Sequence, residues 1–401
     1  MELAKDKITV FGATWCPDCR RAKEFLGEQR VAYDWIDLEQ HPEATELVER
    51  INGGSRSIPT IVFPDGSHLV EPGNDELAEK LGINRSAKST TYDVVIVGGG
   101  PTGLTAAIYA SRENQSVLII EKSAVGGQAG VTERLDNYPG FPDGVAGHEL
   151  ADRMRRQAER YGVEILQAVA VSAVSWEGDW VTVTTTTGDS YQARAVLVAT
   201  GSVYRRTGAE GESDLIGAGI HFCATCDGPF YRGAKEVLVI GGGNSGLEEG
   251  LFLTQFADHV TVVEFSEKLA GSRLLQDKVL AHPKMTVVTS TKVLGFQGGS
   301  TGKLESVALE DRQAGDRRQH EASGAFVFIG LDPNTAFLDG ALELDERGFI
   351  CSDEQFRTNV PGVFVAGDVR RGSTKQLASA VGEGAAASIQ IRYHLDKVAA
   401  K

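Results

Sequence analysis

Four of the chain's five cysteines fall in two Cys-x-x-Cys pairs, Cys16/Cys19 and Cys223/Cys226. Thiols at this spacing suit either reversible disulfide chemistry or metal binding. A tetrahedral metal site would need both pairs to converge, yet they lie some two hundred residues apart among different neighbours. Redox chemistry is therefore the reading, and no metal is expected. Cys351 stands alone in FICSDEQF and reads as a packed small residue, and the eight histidines show no metal-ligand spacing.

A second kind of chemistry is written in glycine. Gly98, Gly100 and Gly103 form one G-x-G-x-x-G, and Gly241, Gly243 and Gly246 form another at an offset of 143. VVIVGGGPTGL in the first copy matches VLVIGGGNSGL in the second, and each copy ends in an apolar strand closed by an acid, Glu121 or Glu264, 23 residues after its first glycine. One such motif is weak evidence. Two copies, each with a buried-type strand before and a helix after, are dinucleotide-binding units. The first glycine permits the tight turn, the second lets the backbone approach a pyrophosphate, and the third allows close helix packing. Two dinucleotide sites with a Cys pair just before the second suggest a relay, with FAD and a nicotinamide as the occupants.

The elements that position these groups follow from the apolar periodicity. Residues 1–84 read as a strand (Lys7 to Phe11), the first Cys pair, a helix (Arg20 to Gln29), a strand (Ala32 to Leu38), a helix (Glu43 to Ile51), a strand (Thr60 to Phe63), a hairpin strand, and a helix from Asp75. The polar stretch RSAKSTT, residues 85–91, is a linker. The fold class is α/β. The chain has 401 residues, 41% apolar and 24% charged, enough for two or three domains. A formal net charge of −15 argues against a nucleic-acid partner. No apolar run is long enough to span a bilayer, and the first residues lack a signal peptide's hydrophobic region, so a cytoplasmic protein with no membrane partner is expected.

Residues 92–401 resemble the low-molecular-weight thioredoxin reductases and their relative, the flavoprotein subunit of alkyl hydroperoxide reductase. The stretches that carry the likeness are VVIVGGGPTG, GGQAG at 126–130, DNYPGFP at 136–142, ATG at 199–201, CATCDG at 223–228, VIGGGNSG, IGLDPNT at 329–335, GVFVAGDV at 362–369 and KQLASAVGEG at 375–384. The resemblance implies an FAD domain of 92–206 and 324–401, with a nicotinamide domain of 207–323 inserted and hinges near Tyr204–Gly208 and Gly324–Gly330. It implies FAD contacts from Gly98, Gly100, Pro101, Thr102, Gly103, Glu121, Lys122, Gly127, Gln128, Asn137, Thr200, Gly201, Asp368, Lys375, Gln376 and Leu377. Gly241, Gly243, Asn244, Ser245, Gly246, Glu264 and Gly330 would serve NAD(P)H. In CATCDG, Cys226 would face the flavin, Cys223 would exchange with the next disulfide, and Asp227 would supply or remove the proton. Where NADPH-using relatives carry a basic cluster, this chain has VVEFSEKLAG. Glu264 would repel a 2′-phosphate and accept ribose hydroxyls, which argues for NADH, with Lys268 or Arg273 the basic groups nearest in sequence. A homodimer through the FAD domains is also implied.

The N-terminal segment resembles the glutaredoxins, more closely their actinobacterial mycoredoxin type. TVFGATWCPDCRRAKEFL places Cys16 just ahead of a helix, whose dipole and free N–H groups favour a thiolate, with Arg20 and Arg21 adding charge and Cys19 as resolving thiol. Trp15 is either a shield for Cys16 or a packing residue. NGGSRSIPTIVFPDGS places Pro59 where these folds use a cis bond, and Gly73, Asn74 and Asp75 stand where glutaredoxins bind a thiol cofactor's carboxylates. The chain thus reads as a disulfide reductase passing electrons from NAD(P)H through FAD, Cys223/Cys226 and Cys16/Cys19 to a disulfide substrate: a small-thiol mixed disulfide, a thioredoxin-like protein or a peroxiredoxin. A non-turnover redox sensor is the reading from a different class.

Overall fold

The computed structural model describes residues 7–400 except 133, 136 and 339, and the side chains of Thr225 and Cys226 lie outside the description. Its first sheet has four strands in the order Tyr33–Asp37, Ile8–Gly12, Thr60–Val62, His68–Val70. The first two are parallel and the rest antiparallel. Helices Pro17–Glu28, Thr45–Ile51 and Asn74–Lys80 complete a thioredoxin-like unit around Val10, Leu26, Ile61 and Leu77, all fully buried. The first helix starts at Pro17, three residues before the expected Arg20. Proline fits the first helical turn because its missing N–H is not needed there, so Cys16 becomes the N-cap.

Seven strands form the second sheet, running Glu164–Leu166, Val117–Ile120, Thr91–Val97, Ser190–Val198, Trp180–Thr185, Val171–Glu177, with Val363–Val365 added parallel to Ser190–Val198. The last strand comes from far along the chain, so this Rossmann-like domain is built from two separate stretches of sequence. Two apolar layers cover its faces, one under helices Pro101–Arg112 and Leu377–Ala399. The inserted domain carries a five-stranded parallel sheet ordered Ile220–His221, Gly324–Val327, Val237–Ile240, Val260–Val263, Met285–Val288, and an antiparallel sheet of Thr291–Gly298, Leu304–Asp311 and Arg317–Glu321. Gly324–Val327 is an interior strand of the parallel sheet, paired with Ile220–His221 on one side and Val237–Ile240 on the other, so the inserted unit extends past the residue 323 expected from sequence. The chain crosses between the two Rossmann domains through one two-stranded ribbon, Ser202–Tyr204 against Leu331–Pro333.

Residues 85–91 run along the second sheet and are bonded to it. Lys88 N–H donates to Glu164 Oε1 at 2.8 Å, and Gln192 N–H donates to the Thr90 carbonyl at 2.8 Å. Asn84 exchanges bonds with the same edge, accepting from Gln167 N–H at 2.8 Å and donating from Nδ2 to the Ile165 carbonyl at 3.1 Å. Composition suggested a free linker, whereas backbone pairing makes the segment a seam. Ala168 of the second domain packs into the first domain's core.

Candidate functional sites

Each of the two glycine-rich turns is held by the same device. Gly98 has φ +111° and Gly241 φ +113°, and a Cβ on either would lie 2.4 Å from a backbone oxygen, that of Ala199 or Phe328. A Cβ on Gly103 or Gly246 would overlap the carbonyl of Gly98 or Gly241. The acid that closes the next strand reaches back to the middle glycine. Glu121 Oε2 accepts from Gly99 N–H at 2.7 Å and Oε1 from Ser123 N–H at 2.9 Å. Glu264 repeats this with Gly242 at 2.6 Å and Ser266 at 2.7 Å. Both carboxylates are buried. The expected ribose acceptors are thus also the braces of the turns, a job visible in the repeated Glu-x-Ser had that repeat been read.

At the first turn Gly100 is open except for Gly127, whose Cα lies 4.0 Å from the position a Gly100 Cβ would take. A cavity of ≈280 Å³ runs from Gly98 past Glu121, Lys122 and Val169 to Thr200 and Thr335. Asp368 supplies the telling observation for a flavin. Its Oδ1 is buried with no hydrogen-bond partner among the described residues, and burial raises its pKa. Such an atom fits an FAD hydroxyl as donor. Lys375, with φ +57°, donates from Nζ to the Asp368 and Arg370 carbonyls at 2.5 and 3.1 Å, and burial lowers its pKa. Gln376 caps the helix that begins at Leu377 and accepts from Asn137 Nδ2 at 3.3 Å. Gln128 precedes the short turn Ala129–Val131 beside Gly127. Thr102 is buried against Gly367 and Gly384, and Pro101 opens the helix. Thr200 Oγ1 donates to the Asn334 carbonyl and Asn334 Nδ2 returns a bond to the Thr200 carbonyl, both 2.8 Å, with Gly201 following at φ +68°.

At the second turn, Gly243 is open and caps the helix that begins Asn244-Ser245. Asn244 Oδ1 accepts from Ser272 N–H at 2.6 Å. Arg273 is paired with Asp277 at 3.1 Å. Arg312, which sequence reasoning passed over because it lies 48 residues on, stacks 3.7 Å from the Phe265 ring centroid and donates to the Phe265 carbonyl. Gly330, expected at the nicotinamide, sits in the crossing ribbon, where its carbonyl accepts from Arg205 N–H at 3.0 Å.

Cys223 is disulfide-bonded and lies 4.0 Å from Gln376 Nε2 of the FAD domain. The expected flavin-facing role of Cys226 falls outside the described side chains. Asp227 N–H donates to the Cys223 carbonyl at 3.0 Å, and Asp227 Oδ2 lies 3.5 Å from His221 Nδ1. His221 Nε2 in turn shares a 2.7 Å hydrogen bond with Tyr231 OH. Sequence reading missed this His–Asp–Tyr chain because the strand and turn that bring His221 to Asp227 leave no spacing signature. Tyr204, stacked on Phe222, is pushed up to about 12 by burial and then by Asp368 and Asp227, so it stays a phenol between the two domains.

The N-terminal pair is reduced. Cys16 Sγ accepts from Cys19 N–H at 3.1 Å and its thiol points to the Ile58 carbonyl at 3.7 Å, next to a cis Ile58–Pro59 bond. Cys19 is fully buried, and burial, then its bond to Cys16, pushes its thiol up to about 12. A Cβ on Gly12 would lie 2.8 Å from Cys19 Sγ, which explains that glycine. Arg21 is committed to Asp18 at 2.5 Å and to the Pro72 carbonyl. Trp15 is 64% exposed and donates to Glu39 at 2.9 Å, so it does not pack in the core. The stretch expected to meet a thiol cofactor is engaged internally: Gly73 N–H donates to Glu76 Oε2 at 2.9 Å, Asp75 pairs with Arg85, and Asn74 opens the helix. Cys351 is half-buried, with Arg371 Nη1 3.7 Å from its sulfur.

Comparison with known proteins agrees with this geometry. Residues 92–384 match the model of the pyridine nucleotide-disulphide oxidoreductases, and residues 8–69 match that of the glutaredoxins. A thioredoxin reductase of Listeria innocua is 38% identical over 314 residues, 78% of this chain and 97% of that protein. One from Mycolicibacterium smegmatis is 40% identical over 306 residues, 76% and 96% of the two chains. The crystal structure of thioredoxin reductase from Streptococcus pyogenes superposes with a TM-score of 0.73 at 39% identity, over 77% of this chain and 99% of that one. That of Lactococcus lactis thioredoxin reductase in its FR conformation gives 0.53 at 34% identity, over 76% and 99%. The chain belongs to the pyridine nucleotide-disulphide oxidoreductase family, as a thioredoxin reductase-like, NAD(P)H-dependent flavin disulfide oxidoreductase fused to an N-terminal glutaredoxin domain.

Proposed function

We propose that the enzyme passes electrons from NADH through FAD to the Cys223–Cys226 disulfide, then to the Cys16–Cys19 pair and on to a thiol-disulfide substrate. The observation that carries this reading is the Cys223 disulfide lying against Gln376 of the FAD domain, while a second dithiol caps a helix in the fused domain. Bound FAD supplies the two-electron transfer between nicotinamide and disulfide. The chain's own part is to place and protonate sulfurs. As the disulfide opens, two electrons and two protons leave Cys223 and Cys226 as thiols, and Asp227, steadied by His221 and Tyr231, handles a proton beside Cys223. Cys223 as thiolate then attacks the oxidised Cys16–Cys19 bond, and Cys226 closes on Cys223 to release the reduced N-terminal dithiol. Cys16 next attacks the substrate disulfide, and Cys19 resolves the mixed disulfide.

One Cys pair meets both flavin and acceptor only if the inserted domain turns on the ribbon Ser202–Tyr204/Leu331–Pro333. The lower superposition onto the Lactococcus FR conformation, at similar identity and coverage to the Streptococcus structure, supports a pivot there. NADH is favoured because the strand after the second glycine turn ends in a buried carboxylate, Glu264, while Arg273 is paired with Asp277 and Arg312 is engaged on Phe265. A homodimer is favoured by Tyr109, Ile389 and Tyr393, exposed apolar residues beside the Arg392–Glu113 bridge between two packed helices. Among the described residues no helix is long and apolar enough to cross a membrane.

Anaerobic stopped-flow mixing is expected to show NADH reducing the flavin faster than NADPH, with wild type taking up one more two-electron equivalent than Cys16→Ser/Cys19→Ser. Equal uptake by the two proteins would remove the N-terminal pair from the relay. Alkylation of the reduced enzyme between pH 7 and 9, followed by mass spectrometry, should label Cys16 at least about 10-fold faster than Cys19, whose raised pKa keeps it a thiol across that window. His221→Gln should slow opening of the Cys223 disulfide about 10-fold and flatten its pH profile while leaving the KM for NADH unchanged. A uniform loss at every pH would make His221 a packing residue only. Sedimentation equilibrium should give twice the 42.9 kDa chain mass, and Tyr109→Glu should shift it to one.

A further inference from the structure

Arg30 leaves its own domain and enters the loop that faces the first glycine-rich turn. It follows the helix Pro17–Glu28 with φ +55°, the left-handed turn that ends the helix, closed by Val31 N–H donating to the Leu26 carbonyl at 2.9 Å. Its Nη1 donates to the Val125 carbonyl at 3.0 Å and its Nη2 to the Gly127 carbonyl at 2.7 Å. A Cβ on Gly130 would lie 2.0 Å from Nη1 and one on Gly126 3.4 Å, so the glycines of GGQAG make room for the guanidinium. Beside it, Ala124 N–H donates to the Glu28 carbonyl at 3.1 Å, ending the helix on the same loop. Burial pulls Arg30's pKa down and Glu121 pulls it up, which places its charge near the acid that braces Gly99.

The other side of this loop faces the dinucleotide turn. Gly127 has φ +52°, and its missing Cβ would come 3.2 Å from the Cα of Gly100, which caps the helix Pro101–Arg112. Gly126 N–H donates to the Gly99 carbonyl at 2.8 Å. The two turns thus form one wall, and Arg30 fixes its back by two charge-assisted bonds that only a forked donor makes together.

We propose that Arg30 of the glutaredoxin domain is a positioning residue for the FAD-binding loop 125–130, so that its two bonds to the loop carbonyls, and not docking of the fused domain in general, set how tightly FAD is held. The inference rests on FAD binding, not on the electron relay, so it stands or falls apart from the roles of Cys16 and Cys19. Arg30 touches loop carbonyls rather than FAD, and it acts by keeping Gly127 against Gly100.

The test is the flavin-release rate of the full-length holoprotein, followed by recovery of free FAD fluorescence after dilution, without nicotinamide. Arg30→Ala is expected to release FAD about 10-fold faster or more, with 50 mM guanidinium restoring part of the loss. Arg30→Lys, which keeps the charge and loses the fork, should fall between the two. Asn84→Ala weakens docking at the other contact and should leave release within about 2-fold of wild type, because it does not touch the loop. Wild-type release from Arg30→Ala and Arg30→Lys would overturn the proposal. So would equal acceleration by Asn84→Ala, which would assign the effect to docking in general. Should Arg30→Ala not fold, Arg30→Lys against Asn84→Ala decides the same question.

Discussion

The chain passes between the enzyme's two Rossmann domains at one place, a ribbon of two three-residue strands. Ser202–Tyr204 pairs with Leu331–Pro333, Arg205 Nε bonds Asp332 at 2.7 Å, and the Gly330 carbonyl accepts from Arg205 N–H. At the FAD end the ribbon is clamped by the reciprocal Thr200–Asn334 bonds. A ribbon this short resists shear through its hydrogen bonds but bends readily at its ends, where Gly201 and Gly330 both have positive φ. Everything the inserted domain presents to the flavin, the Cys223 disulfide included, is therefore set by the angle at one place. Tyr204 sits in that ribbon, where burial, and then Asp368 of one domain and Asp227 of the other, raise its pKa.

The same local solution is used once on each side of the ribbon. A carboxylate at the end of the second strand pins Gly99 or Gly242, and Gly98, Gly103, Gly241 and Gly246 are fixed by contacts too close for any Cβ. This is why the two repeats could be read so far into the sequence: their geometry is local and depends on glycine where nothing else fits. The thioredoxin-like order of the first domain was readable for a similar reason, since its strands alternate with short amphipathic helices and its Cys pair sits at a helix start. The start of that helix was misplaced by three residues because proline at the first turn was not weighed as a helix opener.

What stayed hidden is what depends on tertiary approach. RSAKSTT has the composition of a free linker, and nothing in it announces that Glu164 and Gln192 will bind its backbone. In the EPGND stretch, Glu76 accepts from Gly73 N–H and Arg85 pairs with Asp75, contacts that no spacing rule announces. His221 reads as an isolated histidine until Phe326 and Tyr231 pack around it and turn it toward Asp227. Arg30 and Arg312 are long side chains that reach 95 and 47 residues along the chain to their carbonyl partners, beyond any spacing rule.

The orientation of the fused domain follows from the polarity of one helix. Pro17–Glu28 has Cys16 at its N-terminus, and its C-terminus, with Arg30, is buried in the flavin loop. Twelve residues at about 1.5 Å each put roughly 18 Å between these ends. Asn84, which follows the helix Asn74–Lys80, bonds the same FAD domain, so docking uses the pole of the fold remote from the thiols. The dithiol consequently faces away from the loop that anchors it, with Trp15 exposed beside it. In the proposed relay the fused domain is then a fixed acceptor, and motion belongs to the inserted domain on its ribbon. A tethered acceptor gains from high effective concentration only when its linker spans the gap, whereas a docked one gains from a fixed approach direction. In the proposed relay, that trade lets the seam at residues 84–91, rather than the length of a linker, set the direction from which the second Cys pair is met.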